Sequence, residues 1–202
     1  MLNNDLTKRL LLAAGVAALA MPALSQDAAR SAAYKLFHIS HNEICMLEEP
    51  QAAAEYYPPQ SWALEWKTDY SDTPQTATLY EFFCGAGAYN VQLVYFLEDD
   101  YSGPRPLSFA VPYFDVKYVG DDFEGAVEAI DILGFQTQDT LTNPSFDPET
   151  RTITNSAHWR GLGDASSSGT WVFDDGIFVL KSYDVDASYD GEINPTRIVE
   201  YP

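Results

Sequence analysis

Beyond the paired prolines Pro58 and Pro59, the chain is a succession of short strand-like segments cut by turn signals, a spacing that fits an antiparallel β-fold. Residues 63–67 alternate apolar and polar side chains. Residues 78–84 and 91–97 are rich in β-branched and aromatic residues. Residues 107–119 read as one or two strands bent at Pro112. Turns are expected at residues 71–74, at Gly85-Ala86-Gly87, at 103–106, and at 146–150 ahead of the segment 151–154. The strongest local signal is Asp174-Asp175-Gly176 between Trp171-Val172-Phe173 and Ile177-Phe178-Val179-Leu180, which reads as a hairpin. Between Phe123 and Leu133 two periods compete. Ala126, Val127, Ala129, Ile130 and Leu133 fit a helical face, whereas Ile130 and Ile132 fit a strand. The expected fold is mainly β, an antiparallel sheet, sandwich or barrel-like arrangement with little helix after the leader. No linker and no clean internal repeat divides it.

The first 25 residues read as a leader. Lys8 and Arg9 precede an apolar run from Leu10 to Ala20, and Ala23 and Ser25 have the small-residue spacing of a signal-peptidase site. The expected cut follows Ser25, with Ala20 as the weaker alternative, leaving 26–202 as a single β-rich domain. A spanning helix needs about 20 apolar residues, and Pro22 interrupts this run at its end. No stable membrane anchor is expected after cleavage. Residues 26–33 form a loose or helical lead-in, and Glu48-Glu49-Pro50 followed by Tyr56-Tyr57-Pro58-Pro59 stops regular structure.

The whole chain carries a formal net charge of −19, which becomes −20 when the leader takes Asp5, Lys8 and Arg9 with it. Such a surface repels phosphate backbones and attracts cations or basic proteins, so nucleic acid is not an expected partner. Aromatics at 14% separate the chain from a disordered acidic tail. Cys45 and Cys84 are its two cysteines, and in an oxidising compartment they are expected to pair. The product is expected to be periplasmic or secreted.

Chemistry-bearing patterns are sparse. His38-x-x-His41 with Glu43 puts possible zinc ligands on one face only if the segment is helical, and no third spaced ligand follows. Asp184, Asp186 and Asp190 begin like a calcium loop, but Tyr189 replaces the glycine such a loop requires and Pro195 its bidentate glutamate. Paired acids at 99–100, 121–122 and 174–175 sit in expected turns, where aspartate bonds its own backbone. Gly85-Ala86-Gly87 lacks a third glycine and a following helix, so it is no dinucleotide loop. Residues 161–169 have neither the lysine of a P-loop nor a Gly-x-Ser-x-Gly elbow, and a serine triad would have to recruit His158 or a more distant histidine. No catalytic residue and no cofactor is assigned.

Cys84-Gly85-Ala86-Gly87-Ala88-Tyr89-Asn90, then Arg160-Gly161-Leu162-Gly163-Asp164, Trp171-Val172-Phe173 and Phe178-Val179-Leu180 resemble, in order, an exported proteobacterial family known as domain of unknown function 1176. The resemblance covers roughly residues 80–200. It implies a cysteine before Gly-Ala-Tyr-Asn, here Cys84, and a further C-terminal cysteine pair. Ala165 stands where one of that pair would be, and no cysteine follows it. Both partners are missing together, which leaves no orphan thiol.

The functional expectation is a non-catalytic envelope protein that binds another macromolecule, a basic envelope protein being the partner class considered, through exposed aromatics and carboxylates. A narrower version is an inhibitor of a basic wall-degrading enzyme such as lysozyme, with loop residues such as Tyr101 or Tyr189 in contact. The alternative class is a metal-dependent hydrolase using His38, His41 or His158.

Overall fold

The structure is a computed structural model that describes residues 23–45 and 56–202. The basic and apolar leader as far as residue 22, and the break read at Glu48-Glu49-Pro50, lie outside the described residues. The lead-in is helical. It belongs to α1 (Ala23–Ser40), and the expected cut after Ser25 falls in its first turn.

Twelve strands follow among the described residues, all paired antiparallel. The first sheet holds β1 (Gln60–Thr68), β2 (Ser71–Ala86) and β3 (Val91–Asp99), with the short β4 (Arg105–Pro106) on the far edge of β3. A long two-stranded ribbon comes next, formed by β5 (Phe109–Tyr118) and β6 (Val127–Gln138). The chain then returns to the free end of β3 as β7 (Thr140–Thr142). A second five-stranded sheet has the order β12-β11-β10-β9-β8, made of β8 (Ser145–Asp147), β9 (Thr152–His158), β10 (Ser166–Asp174), β11 (Ile177–Asp186) and β12 (Thr196–Glu200). Among the described residues the fold is mainly β with no closed barrel.

Alternation along the strands decides what each face covers. Leu64, Ala77, Leu79, Tyr95 and Leu97 of the first sheet share one apolar cluster with Ile153, Trp171, Phe173, Leu180 and Val185 of the second. Phe109 and Val111 of the ribbon enter the same cluster. The opposite side chains of β2 and β3, namely Tyr80, Phe82, Cys84, Val94 and Phe96, form a second cluster under α1 with Ala33 and Phe37. Ala33 and Phe37 lie four apart on one helical face. The expected disulfide is formed between Cys45, just past the helix, and Cys84 on β2.

The Asp175-Gly176 hairpin is as read. Asp174 pairs with Ile177, and both turn residues have positive φ, 45° and 87°. The turn expected at residues 71–74 is displaced. Thr68 pairs directly with Ser71, so Asp69 and Tyr70 make the turn, while Pro74 lies in β2 near a register shift where its missing N–H is tolerated. The ambiguous stretch around Ile130 is strand, because it pairs residue by residue with β5, from Tyr118–Val127 to Phe109–Gln138.

Candidate functional site

The motif residues are brought together at one end of the two large sheets. Asn90 closes the β2–β3 hairpin, and its side chain acts as a short piece of strand. Its Nδ2 donates to the carbonyl of His158 at 2.8 Å, and its Oδ1 accepts from the His158 N–H at 3.2 Å. Asn143, just after β7, completes the stitch. It holds a left-handed backbone (φ 44°), exchanges bonds with Val91 in both directions at 2.7 Å, and donates to the carbonyl of Ser156 at 2.9 Å. Two asparagines thus bind β3 to β9 where no ladder joins the sheets. Asn143 carried no flag in the sequence beyond its place before Pro144, a turn signal.

Gly163 has φ at 75°, a left-handed backbone that favours glycine, and lies against the His158 ring, while Gly161 lies against the Tyr89 ring. Gly87 N–H donates to the Asn90 carbonyl at 2.7 Å, and Ala88 and Tyr89 lie between them in the same turn. Next to the glycines Arg160 clamps Asp164 with two nitrogens, Nε lying 2.7 Å from Oδ1. Asp164 is buried and also accepts the Gly191 N–H at 2.9 Å. The Arg160 guanidinium holds its carboxyl well below the usual carboxylate range, opposed by desolvation and helped by the N–H groups of Gly191 and Ala165. Ala165, where the family resemblance places a cysteine, is fully buried.

Arg160 carries the junction outward. It donates to the Tyr189 carbonyl at 2.9 Å and lies 5.1 Å above the Tyr189 ring, which meets the Phe123 ring edge-on at 6.1 Å. Phe123 is at the tip of the β5–β6 ribbon, and Tyr118, just before that tip, donates its hydroxyl to the Ala187 carbonyl at 3.0 Å. The motif residues therefore form a frame that seats the ribbon's tip.

A pH dependence follows from the frame. Asp164 has a depressed folded-state pKa, so its contribution to stability is complete above the ordinary aspartate pKa near 4 and is lost as pH falls below it. Thermal melts from pH 7 to pH 2 are expected to show Asp164→Asn well below wild type at neutral pH. The two melting temperatures should converge at the acid end. A constant gap would remove the ion pair as the cause.

The remaining candidates are engaged elsewhere. Asp184 pairs with Arg197, its Oδ1 2.8 Å from Nε. Asp186 accepts the Ser188 N–H and hydroxyl and the Asn194 N–H, and Asp190 accepts the Glu192 N–H. His41 is buried against the rings of Phe37 and Phe96, and burial lowers its pKa against a smaller opposite pull from Asp139. Its Nδ1 is 2.7 Å from Ser40 Oγ. The Ser40 hydroxyl is already donated to the Leu36 carbonyl, so Nδ1–H of His41 is the donor. His38 meets the edge of Tyr34 at 4.4 Å. Among the described residues no three His, Cys, Asp or Glu side chains are arranged to hold a metal ion.

The ribbon itself is amphipathic across its faces. Phe114, Val116, Val127 and Ile130 pack inward on the core, while Tyr113, Leu133 and Phe135 are 55, 60 and 51% exposed. In the ladder Pro112 opposes Phe135 and Tyr113 opposes Gly134, so Tyr113 and Phe135 belong to consecutive pairs. Between residues 109 and 138 the ribbon and its tip carry Asp115, Asp121, Asp122, Glu124, Glu128 and Asp131 against one cation, Lys117, which is paired with Asp131. Tyr101 is exposed on a separate loop, whereas Tyr189 is half-buried beneath Arg160.

The model of a family described as "Protein of unknown function (DUF1176)" matches residues 21–193. The match reaches further towards the N-terminus than the motif-bearing stretch, taking in the whole of α1 and the segment holding Cys45. No curated protein and no solved structure matches the chain.

Proposed function

We propose that this chain, which belongs to the DUF1176 family, is an exported, non-catalytic protein that binds a basic macromolecular partner with the outer face of its β5–β6 ribbon. The observation that carries this reading is the conjunction on the ribbon and its tip of exposed Tyr113, Leu133 and Phe135 with six carboxylates and a single, paired lysine. Apolar and aromatic side chains ringed by charge have the composition of a protein contact, with a core that supplies affinity and a rim that selects partners. The frame at Arg160 and Asp164 serves the contact by fixing the ribbon's tip through Tyr189 and Phe123. The Cys45–Cys84 bond supports work outside the cytoplasm, in the periplasm or beyond it.

A basic wall-degrading enzyme is the narrower partner class, and lysozyme is a practical probe for it. Binding and lytic activity would be measured at low and at physiological salt with wild type, Tyr113→Ala and Phe135→Ala. Exposed charges act over only about 8 Å at physiological ionic strength, so a contact made by charge alone fades there. The expected result with a true partner is binding that survives physiological salt and falls at least about tenfold in each variant. Inhibition of lysis with the same sensitivity would place lysozyme-like enzymes in the partner class. Retention of a basic periplasmic protein other than a lysozyme, lost in both variants, would support the wider reading alone. Binding that ignores both substitutions would overturn the ribbon as the contact.

A further inference from the structure

Glu81 is the carboxylate in this fold whose setting the frame and the ribbon do not explain. It lies on the face of β2 that looks towards the second sheet, between Leu79 and Phe83 on the same side, with Gln60 and Tyr95 directly across the ladder. Tyr95 is fully buried and donates its hydroxyl to Glu81 Oε2 at 2.6 Å. No lysine, arginine or histidine among the described residues forms an ion pair with Glu81. Burial raises its pKa, against the smaller opposite effect of the Tyr95 bond. A desolvated carboxylate with one oxygen satisfied and no counter-cation is costly to keep, and a cation removes that cost.

The space in front of it fits such a group. A cleft of about 190 Å³ is lined by Glu81, Gln60, Leu93, Phe83, Tyr56 and Tyr57, and the Tyr57 ring stacks on Phe83 at 5.2 Å. No buried side-chain oxygen among the described residues lacks a partner, so the second oxygen of Glu81 is the one open to the cleft. On the same wall the Gln60 amide donates one N–H to the Pro58 carbonyl at 2.9 Å. The cleft thus presents a carboxylate without a cationic partner beside aromatic rings, and acceptors and π faces of this kind match an organic cation. The volume is below the 300 Å³ or so of a typical small-molecule pocket and suits one alkyl chain with a charged head.

We propose that the Glu81 cleft is a binding site for a single alkylammonium or alkylguanidinium group, with the head on the Glu81 carboxylate and the chain against Tyr57 and Phe83. The site is independent of the ribbon. Its ligand is either a free small amine or a lysine or arginine side chain presented by a protein, two sources of one chemistry.

The test uses butylammonium and propylguanidinium as probes, titrated into the full folded protein and followed by two-dimensional NMR of the aromatic resonances and by calorimetry. Saturable binding is expected, with the largest shifts at Tyr57, Phe83 and Tyr95. Glu81→Gln should weaken it by at least about tenfold, while Glu149→Gln, which removes the same charge from an exposed turn, should leave it unchanged. Tyr57→Ala is the second variant should Glu81→Gln fail to fold, and it too should weaken binding. A short acetylated peptide with one interior lysine separates the sources. Tighter binding of the peptide points to a protein side chain, and tighter binding of butylammonium points to a free amine. Absence of saturation with either small probe, shifts centred elsewhere, or equal loss in Glu149→Gln would overturn the proposal. None of these outcomes bears on the ribbon, whose variants are read separately.

Discussion

Truncating Trp171 to alanine is expected to cost about 3–5 kcal/mol, a large part of the stability of a domain this size. Trp171 is fully buried in the cluster shared by all three sheets, and its ring meets Phe109 of the ribbon at 5.4 Å. Its indole Nε1 donates to the Ala110 carbonyl on β5 at 2.9 Å, so truncation removes both a large apolar volume and a bond that ties the ribbon to the second sheet. For a chain of this length each kcal/mol shifts the midpoint by about 2–4 °C, which makes the expected fall roughly 6–20 °C. Trp171→Phe should cost less, because it keeps much of the volume and loses the indole bond.

Gly169 supplies the control. A Cβ at that position would lie 2.3 Å from the Trp171 ring, a distance no side chain tolerates, and the Gly169 N–H is fixed by Asn155 Oδ1 at 2.6 Å. Gly169→Ala is therefore expected to destabilise wild type by about 1–3 kcal/mol through overpacking. In the Trp171→Ala background the same methyl enters vacated space, and its effect should shrink to near zero or change sign. Chemical denaturation of the four proteins measures the coupling, expected at about 1–3 kcal/mol. Additive effects would mean that the glycine is required for a reason other than the indole.

Which parts of this arrangement were legible in the sequence follows from how local their causes are. The Asp175-Gly176 turn was readable because two positive φ angles demand residues of that kind. The disulfide was readable from the count of cysteines and the expected compartment. The strand at Ile130 was not separable from a helix, because the deciding fact is its partner: ten residues of β6 find partners on β5, with register shifts beside Tyr113 and Tyr118. The shifted turn at Asp69-Tyr70 has the same origin, since the register between Thr68 and Ser71 overrode the Ser-Asp-Thr-Pro signal. At the candidate sites the split is sharper. Arg160, Gly161, Gly163 and Asp164 could be named from their motif, but that they seat the ribbon through Tyr189 needs contacts across 29 residues of chain. Asn143 and Glu81 left no sequence signal of their roles. An asparagine stitching two sheets and a glutamate inside a sandwich look like any polar residue in a β-rich chain until their neighbours are known.

Replacing Cys45 and Cys84 together by serine is expected to lower stability by about 2–5 kcal/mol. The bond closes 39 residues of sequence, and the chain-entropy account puts its contribution for a loop of this length at about 4 kcal/mol. Position adds to length. Cys45 lies just past the end of α1, and Cys84 lies among Tyr80, Phe82, Val94 and Phe96 on the sheet face that the helix covers. Without the bond the helix is held by Ala33, Phe37 and their stacking, including the 5.0 Å contact of Phe37 with Phe82. The variant should therefore lose the helix before the sheets. Hydrogen exchange is expected to speed up through α1 while β9, β10 and β11, which share no cluster with it, keep their protection. A hydrophobic dye should bind the uncovered aromatic face at temperatures where wild type binds none. Equal acceleration in α1 and in the second sheet would instead mean that the bond acts on the unfolded chain alone, and an unchanged melting point would mean that packing under the helix suffices without it.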